Sequence, residues 1–219
     1  MLSLFPKKLK TVLCLGAHCD DIEIGCGGTM LRLARERPDV SVHWVVFGSD
    51  TVRAREARDS ASRFLGGVRH KTVTVKDFKN SFFPYCGEQI KESFEQLKGE
   101  VAPDIIFTHS REDLHQDHRI VSELTWNTFR DHLILEYEIP KYDGDLGRPN
   151  LFVSLTDKEW QEKIDLILAS FESQKNKRWF TRDTFQSIMR LRGVESNSPS
   201  GYAEGFSCRK VAFDCVAGQ

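Results

Sequence analysis

Short continuous apolar runs alternate with longer amphipathic stretches through most of this chain, and that alternation limits the fold more than any other feature. TVLCLGA (11–17), SVHWVVF (41–47) and DIIFTH (104–109) are too short for core helices. They lack the polar alternation of a strand with one wet face, so they read as strands buried on both sides. KTVTV (71–75) adds a further short strand, and LILEYEI (133–139) and LFVSL (151–155) two more. Between them lie helical patterns. Residues 29–37 carry Met30, Leu31, Leu33 and Ala34 at helical spacing and stop at Pro38; residues 53–65 stop at Gly66 and Gly67; residues 88–98 close near Gly99.

Strand–helix alternation of this kind implies right-handed crossovers, and so an α/β, Rossmann-like, mostly parallel sheet with helices on both faces. Ligands of such sheets bind outside the carboxyl ends of the strands. The later part is less regular. Residues 157–171 form a helix with Trp160, Ile164, Ile167, Leu168 and Phe171 on one stripe, and residues 185–191 form another. Residues 173–182 are basic and aromatic, 195–205 are turn-rich, and 210–215 read as a last strand. The length, 219 residues, suits one domain spanning 1–219, with the irregular region 140–219 shaping a substrate pocket.

Composition narrows the function. A formal net charge of −1 argues against a general nucleic-acid or anionic-membrane surface. No apolar run approaches the roughly 18–20 residues of a membrane span, and the start MLSLFPKKLK has too few apolar residues for a signal peptide. The six cysteines form no C-x-x-C pair, and Cys14 and Cys215 sit in apolar runs as small core residues. A reducing compartment, the cytoplasm, is the expectation.

LGAHCDDIEIGCGG, which ends the first strand, is the anomaly. It crowds His18, Asp20, Asp21 and Glu23 beside a buried strand, where unpaired carboxylates cost several kcal/mol each. A cation among them resolves the conflict. A catalytic zinc site takes three ligands from histidines and carboxylates and leaves a position open. His18 and Asp21 are spaced to face one point across a turn, and LHQDHR (114–119), just past the fourth strand, offers His115 and His118. Both clusters fall on the same edge of the sheet. The glycines are no dinucleotide fingerprint, because G-x-G-x-x-G is absent.

AHCDDIEIGCGGT resembles the A-H-P-D-D-x-E-x-G-x-G-G signature of the LmbE-like (PIG-L) deacetylases, and LHQDHR resembles their second signature, H-x-D-H. ESQ (172–174) and GYAEGF (201–206) also look like features of that family. The resemblance implies a metal-dependent amidase, usually of zinc and otherwise of another divalent cation, that removes acetyl from an N-acetylated amino sugar or its conjugate. It implies His18, Asp21 and His118 as metal ligands and Asp20 as general base. His115 would stabilise the oxyanion or protonate the leaving amine, with Asp117 hydrogen-bonding and orienting His115. Glu23 would contact a sugar hydroxyl or support the site from behind, and Arg53, in an R-x-x-E with Glu56, would meet substrate. Gly25, Gly27 and Gly28 would let the next helix approach the sheet closely.

Three departures stand out. Cys19 replaces the proline after the first histidine, Gln116 replaces a proline in the second signature, and Asp113 sits where some members carry a tyrosine. An oxyanion tyrosine would then come from Tyr137, Tyr142 or Tyr202. Lys175, Lys177, Arg178 and Trp179 suggest an N-acetylhexosamine carried on a nucleotide or phosphate. The alternatives are an amidase of a thiol–sugar conjugate with the same metal site, a non-catalytic sugar- or nucleotide-binding module, and a metal-independent hydrolase using Ser110 or Cys19. Partners expected are the small-molecule sugar and further copies of the chain, as a trimer or hexamer, with no nucleic acid and no membrane segment.

Overall fold

A computed structural model describes residues 9–212. The elements run β1 (Thr11–Gly16), α1 (Asp21–Glu36), β2 (Ser41–Gly48), α2 (Thr51–Phe64), β3 (His70–Phe78), α3 (Gly87–Glu100), β4 (Ile105–His109), α4 (Gln116–Thr128), β5 (Leu133–Tyr137), β6 (Leu151–Ser154), α5 (Asp157–Ser170), α6 (Arg182–Glu195) and β7 (Ala203–Ser207). They build one seven-stranded sheet in the order β3-β2-β1-β4-β5-β7-β6. The first five strands are parallel, and β7 runs antiparallel to both β5 and β6. The α/β, mostly parallel arrangement expected from the alternation is the one observed.

Strand β1 shows why both faces are covered. Val12 and Cys14 enter one core with α1, α2, α5 and α6, while Leu13 and Leu15 enter the other with α3 and α4. Successive side chains of a strand point to opposite faces, so an unbroken apolar run needs helices on each side. The strand order reverses between β1 and β4, which pair directly through Val12 with Ile105 and Cys14 with Phe107. The crevice at such a reversal is where open α/β sheets hold ligands. The loops that follow β1 and β4 carry the two acidic–histidine clusters.

Two expectations need correction. Helix α1 begins at Asp21 rather than residue 29, and it breaks at Cys26 (φ −140°, ψ 17°). The glycines therefore lie inside the helix, where they permit close packing. A Cβ on Gly25 would sit 2.3 Å from the Tyr137 ring, and one on Gly27 would sit 2.7 Å from Phe64. The break is closed from a distance. Glu204 of β7 accepts from the Gly28 and Thr29 amides at 2.7 Å each, and Lys163 of α5 donates to the Ile24 carbonyl at 2.7 Å. Lys163 and Glu204 also pair with each other at 2.6 Å, both buried.

The second correction is the last strand. It is β7 at Ala203–Ser207, inside the stretch expected to be turns; residues 210–212 are in no strand, and 213–215 lie outside the described residues. Glu204 disguised it, because its charge breaks the apolar pattern while its carboxylate is buried against α1 and Lys163.

Candidate metal centre

Asp20 directly precedes α1, so Asp20 and Asp21 sit at the positive end of a helix dipole, where carboxylates are favoured. His18 precedes them on the turn leaving β1. Asp21 Oδ2 accepts the His18 amide at 2.5 Å, which ties the two residues into one unit. On the neighbouring loop His115 caps α4: its Nδ1 accepts the Asp117 amide at 3.2 Å, and His118 follows in the first turn.

The inner atoms of three residues converge. His18 Nδ1 lies 3.1 Å from His118 Nε2 and 3.5 Å from Asp21 Oδ2, and His118 Nε2 lies 3.6 Å from Asp21 Oδ1. A tetrahedral ion with bonds of about 2.0–2.1 Å spaces its ligands roughly 3.3–3.4 Å apart, so the donor set and its spacing fit a zinc-type cation. Two combinations of residues in this cluster offer atoms close enough to share an ion: His18, His115 and His118, and Asp21, His109 and His118. The trio named from the sequence straddles both. In the second group His109 Nε2 already receives the Ala17 amide at 2.9 Å.

His18 and His118 are each held from behind by a carboxylate. His18 Nε2 meets Asp117 Oδ2 at 3.0 Å, and His118 Nδ1 meets Asp113 Oδ2 at 2.8 Å. The Asp117 carboxylate also accepts the amides of Ser81 at 2.5 Å and Phe83 at 3.2 Å. This corrects the expected pairing of Asp117 with His115, because the 117 carboxylate turns toward His18 and only its amide reaches His115. Asp113 is in turn bridged through Lys141 Nζ at 3.1 Å to Asp145. Asp113, Lys141 and Asp145 line a cavity of about 470 Å³ beneath the 140–150 loop.

The electrostatics follow from this packing. Burial pulls His118 down to about 3, with His109 and His18 adding to the effect. Burial also acts downward on His18, but Asp21 and Asp117 outweigh it and lift the ring to about 9. For Asp21 the burial cost is overcome by His118, His109 and His18, which hold it well below the carboxylate range. Asp113 and Asp117 are likewise lowered against their burial, chiefly by hydrogen bonds to His118 and His18. His115 is lowered by burial and by His18.

The other residues named from the sequence sort as follows. Asp20 is buried, and its Oδ1 accepts from Arg53 Nη2 at 2.7 Å, so α2 holds this carboxylate in place. Glu56 does not face the site; it accepts the Ser173 amide at 2.9 Å and hydroxyl at 2.6 Å, pinning the ESQ turn to α2. Glu23 is fully buried, and burial drives its carboxyl well upward against the opposing pull of the Ser60 hydroxyl. The expected contact of Glu23 with a sugar hydroxyl is therefore corrected, since no surface is open to it.

Cys19 points away from the cluster, its thiol donating to the Gly48 carbonyl, and burial pushes it up to about 12. It is neither a ligand nor an activated nucleophile. Tyr137 is buried and donates to the Leu15 carbonyl at 2.6 Å, and Tyr202 stacks on Trp160 while its hydroxyl accepts from Gln186. Trp179 packs edge-on against Phe180 and Phe185, as an anchor of the basic segment.

Sequence reasoning noted Asp113 only as a departure from the family pattern, and it passed over Lys141, Asp145 and the Ser81 and Phe83 amides. Asp113 had a readable signal, an acid within the same short motif as the histidines. The backbone amides had none.

Fold and site together define an α/β protein with a histidine–carboxylate centre at the switch point of a parallel sheet. Residues 13–129 match the family described as PIG-L, GlcNAc-PI de-N-acetylase, and the chain belongs to that family. It is 28% identical over 166 residues to the uncharacterized deacetylase YaiS of Escherichia coli K12, covering 72% of this chain and 88% of that one. Its fold matches the N,N'-diacetylchitobiose deacetylase of Pyrococcus horikoshii with a TM-score of 0.70 at 23% identity, over 91% of this chain and 84% of the other. It also matches GalB, the 4-carboxy-2-hydroxymuconate hydratase of Pseudomonas putida KT2440, with a TM-score of 0.68 at 15% identity, over 96% and 100%. Among the described residues, no helix is long and apolar enough to cross a membrane.

Proposed function

We propose that the chain is a zinc-dependent hydrolase that removes the acetyl group from an N-acetylated amino sugar. The observation that carries this is the convergence of His18 Nδ1, Asp21 and His118 Nε2, with the Asp20 carboxylate beside them and on Arg53. His18, Asp21 and His118 would hold the zinc ion, which would supply Lewis acidity toward the amide carbonyl and bring the pKa of water toward about 7.

The remaining chemistry belongs to the side chains. Asp20 is the general base that takes the proton of the attacking water, and Arg53 fixes the orientation of that carboxylate. The Asp117 amide occupies His115 Nδ1, which places the ring hydrogen on Nε2 as a donor to the oxygen of the tetrahedral adduct or to the departing amine. Asp117 and Asp113 orient the two ligand histidines. Glu23 supports the turn from behind as a buried acid whose ionisation burial disfavours.

Relatives described as deacetylases support the acetyl-amide reading, and the diacetylchitobiose deacetylase supports an amino-sugar substrate. A thiol–sugar conjugate would use the same site. The reading extends to a reducing, cytoplasmic setting, supported by unpaired Cys14, Cys19 and Cys26 in the core. It extends also to a homo-oligomer, supported by exposed Leu191 and Val194 on α6.

The test is acetate release from a panel of N-acetylated sugars, free, nucleotide-linked and thiol-conjugated, with zinc added or chelated, beside Asp20→Asn. Zinc-dependent release abolished by the variant is expected. Hydration of an unsaturated acid without acetate release would overturn the deacetylase reading in favour of a lyase, and absence of bound metal would overturn the metal centre.

A further inference from the structure

We infer that Ser81 is a positioning residue for His18, acting through its backbone: a left-handed turn at Ser81 fixes Asp117, and Asp117 fixes the imidazole. The inference rests on the reading of His18 as a metal ligand and reaches a residue outside both signatures. Among the described residues, only Ser81 (φ 69°) and Asn197 (φ 52°) are non-glycine residues with positive φ. Ser81 lies just past β3, with β2 and β1 between that strand and β4, where the loop leading to Asp117 begins.

The geometry gives that conformation a purpose. The amides of Ser81 and Phe83 both converge on the Asp117 carboxylate, one on each oxygen, at 2.5 and 3.2 Å. A left-handed residue next to a right-handed one shapes successive amides into a concave nest for an anion, and Ser81 (φ 69°) followed by Phe82 (φ −124°, ψ 10°) is such a pair. Rotating Ser81 to φ of the ordinary sign swings its N–H away from the oxygen it now meets while the Phe83 amide stays. Gln116 Nε2 donates to the Ser81 carbonyl at 3.4 Å and ties the turn to α4. The Ser81 side chain itself is exposed and makes no hydrogen bond, so its hydroxyl is not what the site uses. Backbone held in a sparsely populated region persists where surrounding structure imposes it, and here the carboxylate behind a ligand histidine imposes it.

The consequence for the ligand is direct. Asp117 Oδ2, with the Ser81 amide on one side, accepts from His18 Nε2 at 3.0 Å. That bond keeps the hydrogen on Nε2 and the lone pair of Nδ1 turned toward His118 and Asp21. If the turn relaxes, Asp117 is free to rotate, and His18 with it.

The experiment uses the full chain with four variants: Ser81→Gly, Ser81→Val, Asp117→Asn, and Ser81→Val with Asp117→Asn. Glycine adopts positive φ freely and a β-branched residue adopts it worst, and neither change removes a side-chain contact. Zinc affinity is read by competition with a chromophoric chelator. The expected result is affinity within about twofold of the natural chain for Ser81→Gly and about tenfold weaker for Ser81→Val, the lower end of what losing a histidine's supporting partner costs. The double variant should be no weaker than Asp117→Asn alone, because both act on one element.

A second readout needs no metal: the protected His18 Nε2–H proton in the NMR spectrum of the metal-free protein. It should persist in Ser81→Gly and vanish in Ser81→Val. Circular dichroism and urea midpoints establish that each variant is folded, and Ser81→Ala, with a milder backbone cost, replaces Ser81→Val if the latter does not fold. Natural affinity together with a retained proton in Ser81→Val would overturn the inference, as would additive losses in the double variant. A natural chain that binds no zinc overturns the metal reading alone, and the proton signal still decides the role of Ser81.

Discussion

His18 and His118 face each other inner nitrogen to inner nitrogen across 3.1 Å, while their outer nitrogens rest on different aspartates. An ionised carboxylate only accepts, so each outer nitrogen carries a hydrogen and each inner one presents a lone pair. Two lone pairs at that distance repel unless something positive lies between them. The cation proposed for this site would lie between them.

The first prediction is thermodynamic. A site assembled from β1, α1 and α4 exists only in the folded chain, so metal binding adds to stability. Zinc at about 100 times its dissociation constant should add about 2.7 kcal/mol. For a chain of this size that is a rise in melting temperature of about 5–10 °C. A thermal melt with zinc and with chelator measures it.

Replacing Asp20 by Asn should separate binding from turnover. Asp20 contributes no atom to the converging trio, and Asn can still accept from Arg53. Zinc affinity should be retained while kcat falls by about 10²–10⁴-fold, the usual worth of a positioned base. Chelator competition and acetate release on the same preparation check both halves. A large loss of zinc would show instead that Asp20 is a ligand.

Asp113→Asn should weaken zinc by about 10–100-fold, the usual cost of losing a histidine's carboxylate partner. The amide keeps an acceptor for the His115 amide, now held by Asp113 Oδ1 at 2.8 Å, so the loop should stay folded. What it loses is the negative charge that accepts from His118 Nδ1 and pairs with Lys141. Competition titration and a urea midpoint distinguish lost affinity from lost fold.

Lys163→Met should cost about 3–5 kcal/mol, as breaking a buried ion pair from one side does. Glu204 keeps the Gly28 and Thr29 amides and the Thr29 hydroxyl, but its charge loses the cation, and the Ile24 carbonyl loses its donor. Urea unfolding gives the number. A change under about 1 kcal/mol would mean that the break in α1 is satisfied by other groups.

Much of this was legible in the chain. Unbroken apolar runs such as TVLCLGA can only be doubly covered strands, and the position of His18 and His115 past two of them places both clusters at one edge. What escaped had physical reasons. The break in α1 hides because glycines read as a turn, and their real use, close approach to Tyr137 and Phe64, depends on partners far along the chain. β7 hides because a buried Glu204 looks like a surface residue until Lys163 is found against it. The swap of carboxylates, Asp117 to His18 and Asp113 to His118, hides because side-chain direction in the first turn of α4 is set by the Ser81 and Phe83 amides, which no motif records.

The plug in α1 also says something about how divisible the molecule is. Residues 13–129 hold both signatures and every candidate ligand. Yet the gap in their first helix is closed by a lysine and a glutamate from residues 163 and 204. A fragment cut after α4 would carry the complete inventory of chemistry while the helix that aims its acids stood open to water. The two halves are one machine with a single keystone, set in place from the end of the chain that bears no ligand.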